Sequence, residues 1–220
     1  MDEALLKNTP LFSGFTDEEL EKALAYFGAT VRAYGRGDAL NRLHAPLPCF
    51  GLVLEGAVQV TMTDMDGTPL IFAVVEKGGL FGESLCYLEA DAPVRIIAVT
   101  ACRVLWLRAE PVRALQCQTP LEKTLVRRFT ALLARNTLSM NDRIQVLSRG
   151  TIREKLTALL AQYREKAGTQ FILPFTRTDL AAYLGVNRSA LWRELSRMRR
   201  EGLLDYDGNS FRLKENADAL

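Results

Sequence analysis

The sequence predicts an α+β fold in three successive parts, on three observations. Residues 28–108 alternate Val-, Ile- and aromatic-rich runs with glycine-containing turns, the texture of a compact β-sandwich or barrel. From Pro111 to Leu147 the pattern is helical, with neither Gly nor a further Pro after Pro120. Residues 177–204 then show two short helical patterns about Gly185, and Arg188–Glu201 holds five arginines against two glutamates. The expected boundaries are 1–110 for a β-rich domain, 111–148 for a long helix and hinge, and 149–220 for a helix-turn-helix domain.

In the front part, Thr16 with Glu19 three residues on forms a capping box, and Leu20, Leu24 and Phe27 follow at helical spacing. A short amphipathic helix over 16–27 is predicted. The strands then fall in "TVRAYGRGDAL", "FGLVLEGAVQVTMTDMDGTPLIFAVVEKGGLFGE" and "VRIIAVTACRVLWL". Asp66-Gly67 between two such runs is a hairpin signal, since Gly supplies the positive φ that the turn demands.

The segment "TPLEKTLVRRFTALLARNTLSMNDRIQVL" would run about 40 Å at about 1.5 Å per residue. Val126, Phe129, Leu133, Met140 and Leu147 fall near a/d spacing, widened by Leu125 and Leu132. Asn136 and Arg143 interrupt the stripe at d-like positions, where a polar residue lowers stability and fixes register. A helix this long outreaches a domain of its size, so a self-pairing seam, and with it a homodimer, is expected over packing on its own β-domain.

"SRG" at 148–150 reads as a hinge, and a second helix follows from Thr151 to Lys166 with Ile152, Leu156, Leu159, Leu160 and Tyr163. Thr176 and Asp179 cap a short helix carrying Leu180, Ala181 and Leu184. Gly185 ends it, and Asn187 is an N-cap for the next, giving a helix-turn-helix. At about 100° per residue, Leu191, Leu195 and Met198 form the core side of that second helix. Arg188, Ser189, Trp192, Arg193, Ser196, Arg199 and Arg200 occupy the adjacent arc, which holds no acid; Glu194 and Glu201 sit elsewhere. Self-repulsion disfavours such sorting without an external anion. Duplex DNA supplies one, since its major groove admits a helix and Arg pairs bidentately with guanine. The charge split agrees: residues 149–220 hold 13 Lys/Arg and 9 Asp/Glu, a net of +4, whereas residues 1–148 hold 15 and 17, a net of −2. "YDGNSF" behind the helix reads as a wing near the phosphates.

Other function classes find little support. Cys49, Cys86, Cys102 and Cys117 show no C-x-x-C pair, and His44 is the one histidine, so no metal site is expected. No G-x-S-x-G, G-x-G-x-x-G or phosphate-loop motif is present, and the chain is not read as an enzyme. No apolar run approaches the roughly 18 residues that span a bilayer, and "MDEALLKNTPLF" lacks a signal pattern. A cytoplasmic protein without membrane contact is expected.

With these parts in order, "LFSGFTDEEL", "LVLEGAVQV", "GGLFGE", "AVTACRVLWL" and "DLAAYLGVNRSALWRELSRMRREGLL" resemble the cyclic-AMP receptor protein / fumarate-nitrate reduction regulator (CRP/FNR) family along almost the whole chain. The resemblance implies an N-terminal, cyclic-nucleotide-binding-like β-roll, a long dimerisation helix and a C-terminal winged helix-turn-helix. It implies a homodimeric, effector-responsive transcription regulator on palindromic duplex DNA, meeting RNA polymerase if an activator. Arg188, Ser189 and Arg193 stand at base-contacting positions, and the expected DNA-facing set is Arg177, Asn187, Arg188, Ser189, Trp192, Arg193, Ser196 and Arg199. Serine replaces the glutamate of many relatives at 189. The expected effector set is Phe81, Gly82, Glu83, Ser84, Arg95, Asn136 and Met140.

The effector itself is left open, with a small organic molecule expected. Cyclic-nucleotide binders in the family follow "GE" about ten residues later with Arg-Ser or Arg-Thr, whereas Ala92-Pro93 stand here and Arg95 is shifted, so cyclic AMP is disfavoured. No cysteine precedes residue 49, which argues against an iron–sulfur cluster; haem through His44 or a cysteine stays open, as does thiol sensing at Cys86 or Cys102. The competing reading is a ligand- or redox-sensing interaction module without sequence-specific DNA binding.

Overall fold

The computed structural model describes residues 2–63, 69–115 and 117–214. In chain order the elements up to the long helix are α1 (Glu3–Lys7), α2 (Asp17–Tyr26), β1 (Thr30–Tyr34), β2 (Cys49–Glu55), β3 (Ala57–Thr63), β4 (Pro69–Glu76), β5 (Leu80–Phe81), α3 (Glu83–Leu88), β6 (Arg95–Ala98), β7 (Cys102–Arg108), α4 (Glu110–Arg113) and α5 (Pro120–Leu147). The rest are α6 (Ile152–Ala167), β8 (Gln170–Ile172), α7 (Arg177–Leu184), α8 (Arg188–Arg200), β9 (Leu204–Asp207) and β10 (Ser210–Leu213). They form two units: residues 1–66 with 72–137, and residues 67–71 with 138–220.

The first unit is organised by β2 and β7, which are buried on both faces. Period-two alternation sends Phe50, Leu52, Leu54, Leu105 and Leu107 into one core, with α1, α2 and the first half of α5. The intervening Val53, Cys102, Val104 and Trp106 enter a second core with Phe81, Ile96 and Ala98. Two antiparallel sheets, ordered β1-β7-β2-β5 and β4-β3-β6, enclose that second core. Gly51 has no alternative residue: a Cβ there would stand 2.1 Å from the Phe81 ring. The expected Thr16–Glu19 capping box opens α2. The Asp66-Gly67 turn lies outside the described residues.

The segment after Gly82 is the short helix α3. One feature departs from expectation: the apolar residues of α5 do not form one seam. Leu125, Phe129 and Leu132 are buried, the first two at 0% exposure in the first unit's own core. A neighbouring stripe, Val126, Thr130, Leu133, Thr137, Met140, Ile144 and Leu147, stays partly or fully exposed at alternating spacings of four and three. The merged stripe is thus two faces about 80–100° apart. Asn136 and Arg143 lie on the packed side, and both bond within the chain instead of interrupting a seam.

The second unit packs α6, α7 and α8 on a sheet ordered β8-β10-β9. Rings of Tyr163, Phe171, Phe211, Tyr206 and Trp192 form a ladder from α6 to α8, with centroid spacings of 5.6, 6.4, 5.8 and 6.0 Å. Arg143 is buried at 6% exposure, its guanidinium 4.2 Å from the Tyr183 ring centroid and bonded to the Ile71 carbonyl. Among the described residues no helix is long and apolar enough to cross a membrane.

Candidate nucleic-acid interface and effector site

The turn between α7 and α8 is built as the sequence predicts. Thr176 and Asp179 form the capping box, and Gly185 closes α7 at φ +61°, a conformation that glycine adopts without a Cβ penalty. Asn187 Oδ1 accepts from the Ser189 and Ala190 amides and from Ser189 Oγ at 2.7 Å. Leu191, Leu195 and Met198 are each fully buried. That fixes the rotation of α8 and turns the basic arc outward.

On that arc Arg188, Arg193 and Arg200 are exposed and make no ion pair among the described residues. Ser189, Trp192, Arg193, Ser196, Arg197 and Arg200 line one open trough, which Glu194, paired with Arg153, also borders. Three members of the expected set differ from a free DNA-facing group. Arg199 pairs with Asp205 at 2.8 Å and lies over the Tyr206 ring, because the wing folds back on this end of the helix. Trp192 is half-buried against Tyr206, and Ser196 Oγ stands 3.5 Å from the Tyr206 hydroxyl. Arg177 opens α7, and its side chain lies outside the described residues. In the wing, Asn209 Nδ2 donates to the Leu173 carbonyl at 2.9 Å, so this side chain fastens the hairpin to β8's end of the sheet.

Sequence reasoning missed Arg153. From α6 its guanidinium bonds Glu194 at 2.5 Å and both oxygens of Glu201 at 2.7 and 3.0 Å, while Arg197 adds a bond to Glu201 at 3.1 Å. Glu194 of α8 and its C-cap Glu201 are thereby both paired with a cation from α6. The Arg153 pairing holds the Glu201 carboxyl below its ordinary range. No local pattern announces a pair 41 or 48 residues apart.

The expected effector residues separate into distinct roles. Glu83 is buried at 7% exposure; one oxygen accepts from Asn136 Nδ2 of α5, and Oε2 has no hydrogen-bond partner among the described residues. Gly82 is the N-cap of α3 at φ +78°, whereas Phe81 is a core ring packed on Trp106. Ser84 is exposed on α3. Arg95 faces outward, since its neighbours Ile96 and Ala98 are the buried positions of β6. Met140 is 48% exposed on the part of α5 in the second unit. Of the seven, Glu83 and Asn136 are joined by a hydrogen bond.

A cyclic nucleotide fits this site in part. The free Glu83 oxygen can accept from a sugar hydroxyl. The phosphate end finds no cradle: Ala92 is fully buried, its amide donates to the Ala45 carbonyl at 3.0 Å, and its carbonyl accepts from the His44 amide at 2.8 Å. His44 is exposed in that loop. Burial pushes the Cys86 thiol up to about 11, opposite to the thiolate that redox sensing needs.

Comparison with known proteins agrees with both halves. A cyclic nucleotide-binding domain model matches residues 31–117, and a Crp-like helix-turn-helix domain model matches residues 154–217. The chain is a member of the CRP/FNR family of transcription regulators. Family members of this kind are DNA-binding regulators and not enzymes. One relative, the cyclic AMP receptor protein of Thermus thermophilus, is 28% identical over 218 residues, covering 96% of this chain and 95% of its own. The catabolite activator protein structure from the same organism is 26% identical with a TM-score of 0.51 and covers 95% of each chain. FixK2 from Bradyrhizobium japonicum, at 20% identity and a TM-score of 0.69, shares the fold over 86% of this chain and 94% of its own.

Proposed function

We propose that the protein is a homodimeric, effector-responsive regulator that reads palindromic duplex DNA with α8. The carrying observation is the set of uncompensated cations Arg188, Arg193 and Arg200 on a capped helix whose own acids are held by Arg153. Arg188, Ser189 and Arg193, at the helix N-terminal half, are the base readers; Arg200 meets phosphate, and Asn187 fixes the approach. Dimerisation uses the exposed α5 stripe, where Met140 and Ile144 are 48% and 59% exposed. Cytoplasmic location follows from that task, as does contact with RNA polymerase where the protein activates.

The effector is a small molecule that donates a hydrogen bond to Glu83 Oε2, and cyclic AMP is disfavoured because residues 92–93 supply neither cation nor hydroxyl. The test is selection of bound duplexes from a random pool by the full-length protein, with and without cell extract. An enriched palindrome supports the reading. Equal retention of selected and scrambled duplexes at physiological salt overturns it.

A further inference from the structure

At one end of the β-roll core lies a cavity of about 270 Å³, lined in part by Arg32, Tyr34, Leu40, Arg42, Leu47 and Trp106. Its wall is preformed. The 40–48 loop is tied to residues 92–96 by Leu40 N to Ile96 O at 2.8 Å and His44 N to Ala92 O at 2.8 Å. Asn41 clamps the same strands, donating to the Val94 carbonyl and accepting from the Ile96 amide, both at 2.8 Å. His44 holds φ +55°, sparsely populated for a non-glycine residue. Among the aromatics, Trp106 Nε1–H donates to the Tyr34 hydroxyl at 2.9 Å, which leaves their ring surfaces as the apolar lining.

The charge is one-sided. Arg32 and Arg42 make no ion pair among the described residues, and no lining residue is acidic. Asp91 pairs by its backbone with Pro46 but is exposed and outside the lining. The cavity is also walled off from Glu83. Leu47 lines it and covers Gly82, with Cδ2 2.5 Å from where a Cβ would stand. Phe81 stands edge-on to Trp106, with ring centroids 5.5 Å apart.

We propose that this cavity is a second ligand site, distinct from the one at Glu83, for a small organic anion with a flat apolar body, of the aromatic monocarboxylate class. Arg32 and Arg42 take the carboxylate, which suits the guanidinium fork. Trp106, Leu40 and Leu47 cover the ring. The volume lies just under the roughly 300–1,000 Å³ of drug-sized pockets, the right scale for one or two fused rings.

Isothermal titration of the full-length protein without DNA tests the proposal independently of the DNA-reading assignment. The probes are benzoate, its neutral isostere benzamide, and inorganic phosphate. Benzoate binds saturably with one site per chain; benzamide and phosphate each bind at least about tenfold more weakly, one lacking charge and the other the ring. Arg32→Gln and Arg42→Gln each weaken benzoate by about tenfold, with unchanged circular dichroism, since both side chains are exposed. Absence of saturable heat overturns the proposal. So does benzamide or phosphate matching benzoate, or a double Arg32→Gln, Arg42→Gln variant that binds as the wild type does.

Discussion

Arg153 of α6 grips Glu201, the C-cap of α8, with two parallel hydrogen bonds of 2.7 and 3.0 Å. The same guanidinium reaches Glu194, so one cation from another helix removes both carboxylates from the field around the reader. Arg153→Met should therefore lower affinity for DNA by roughly three- to tenfold, with little change in base preference, because two charges some distance from the groove act through the field. Competition binding on the selected duplex and a scrambled one measures both. The pair also makes stability depend on pH. Pairing with Arg153 depresses the folded-state pKa of Glu201 below its ordinary 4.5, so this stabilisation is present above that value and is lost as pH falls through the depressed one. The wild-type advantage in Tm over Arg153→Met should shrink below pH 4.5, and an advantage that stays constant to pH 3 contradicts the assignment.

Arg193→Ala and Arg200→Ala should fail in different ways. Loss of a bidentate base contact at Arg193 costs about 1–3 kcal/mol of discrimination and leaves non-specific affinity nearly intact. Loss of a phosphate contact at Arg200 weakens all sequences alike and reduces the slope of log affinity against log salt by about one. Salt titrations on specific and non-specific duplexes separate the two. Arg199→Ala should instead behave as a stability change, because Arg199 is already committed to Asp205 and Tyr206.

Local devices were the legible part of this chain. Capping boxes at Thr16 and Thr176, the glycine ending α7 and the Asn187 cap all follow from short-range chemistry, and each stands where the sequence puts it. Long-range partners were not legible. Phe129 has the spacing of a seam residue, yet its ring packs tilted against Phe50 with centroids 5.2 Å apart, a neighbour 79 positions away that periodicity cannot see. Arg143 has the look of a register-fixing interruption, but its partners Ile71 and Tyr183 come from distant segments. For the effector set, "GGLFGE" pointed to the Gly82-Glu83 turn, while alternation along β6 alone would have turned Arg95 outward once Ile96 was placed inside.

Glu83→Gln separates ligand response from folding. The amide keeps an acceptor for Asn136 and places a donor where Oε2 stands without a partner among the described residues. Ligand-free stability should change by less than about 1 kcal/mol, because one buried unmet group replaces another. Effector-dependent DNA binding should be lost. A variant that responds to cell extract as the wild type does would place the effector elsewhere.

Exposed apolar residues on α5 predict the assembly. Met140→Glu together with Ile144→Glu puts carboxylates at adjacent turns of the open stripe, facing their own copies in a paired helix. Sedimentation velocity should show a monomer with unchanged circular dichroism, since neither side chain is buried within the chain. Phe129→Ala, by contrast, should destabilise the chain by about 3–5 kcal/mol, because Phe129 is fully buried in the first unit's core.

Arg143 brings the remaining test. Its guanidinium is buried, stacked on Tyr183 of α7 and bonded to the Ile71 carbonyl, with Tyr183 O a further 3.4 Å acceptor. Burying a guanidinium is unfavourable unless its donors are met, and the stack and those carbonyls offset that cost here. Arg143→Ala leaves a void and an unmet buried carbonyl and should cost about 2–4 kcal/mol. Arg143→Lys should recover less than half of this, because an ammonium cannot stack flat on the tyrosine while reaching two carbonyls. Hydrogen exchange locates the damage: amides of α7 should lose protection before those of β2 and β7, which belong to the other unit. Uniform loss of protection across both units would show that Arg143 supports the whole chain and not the placement of α7.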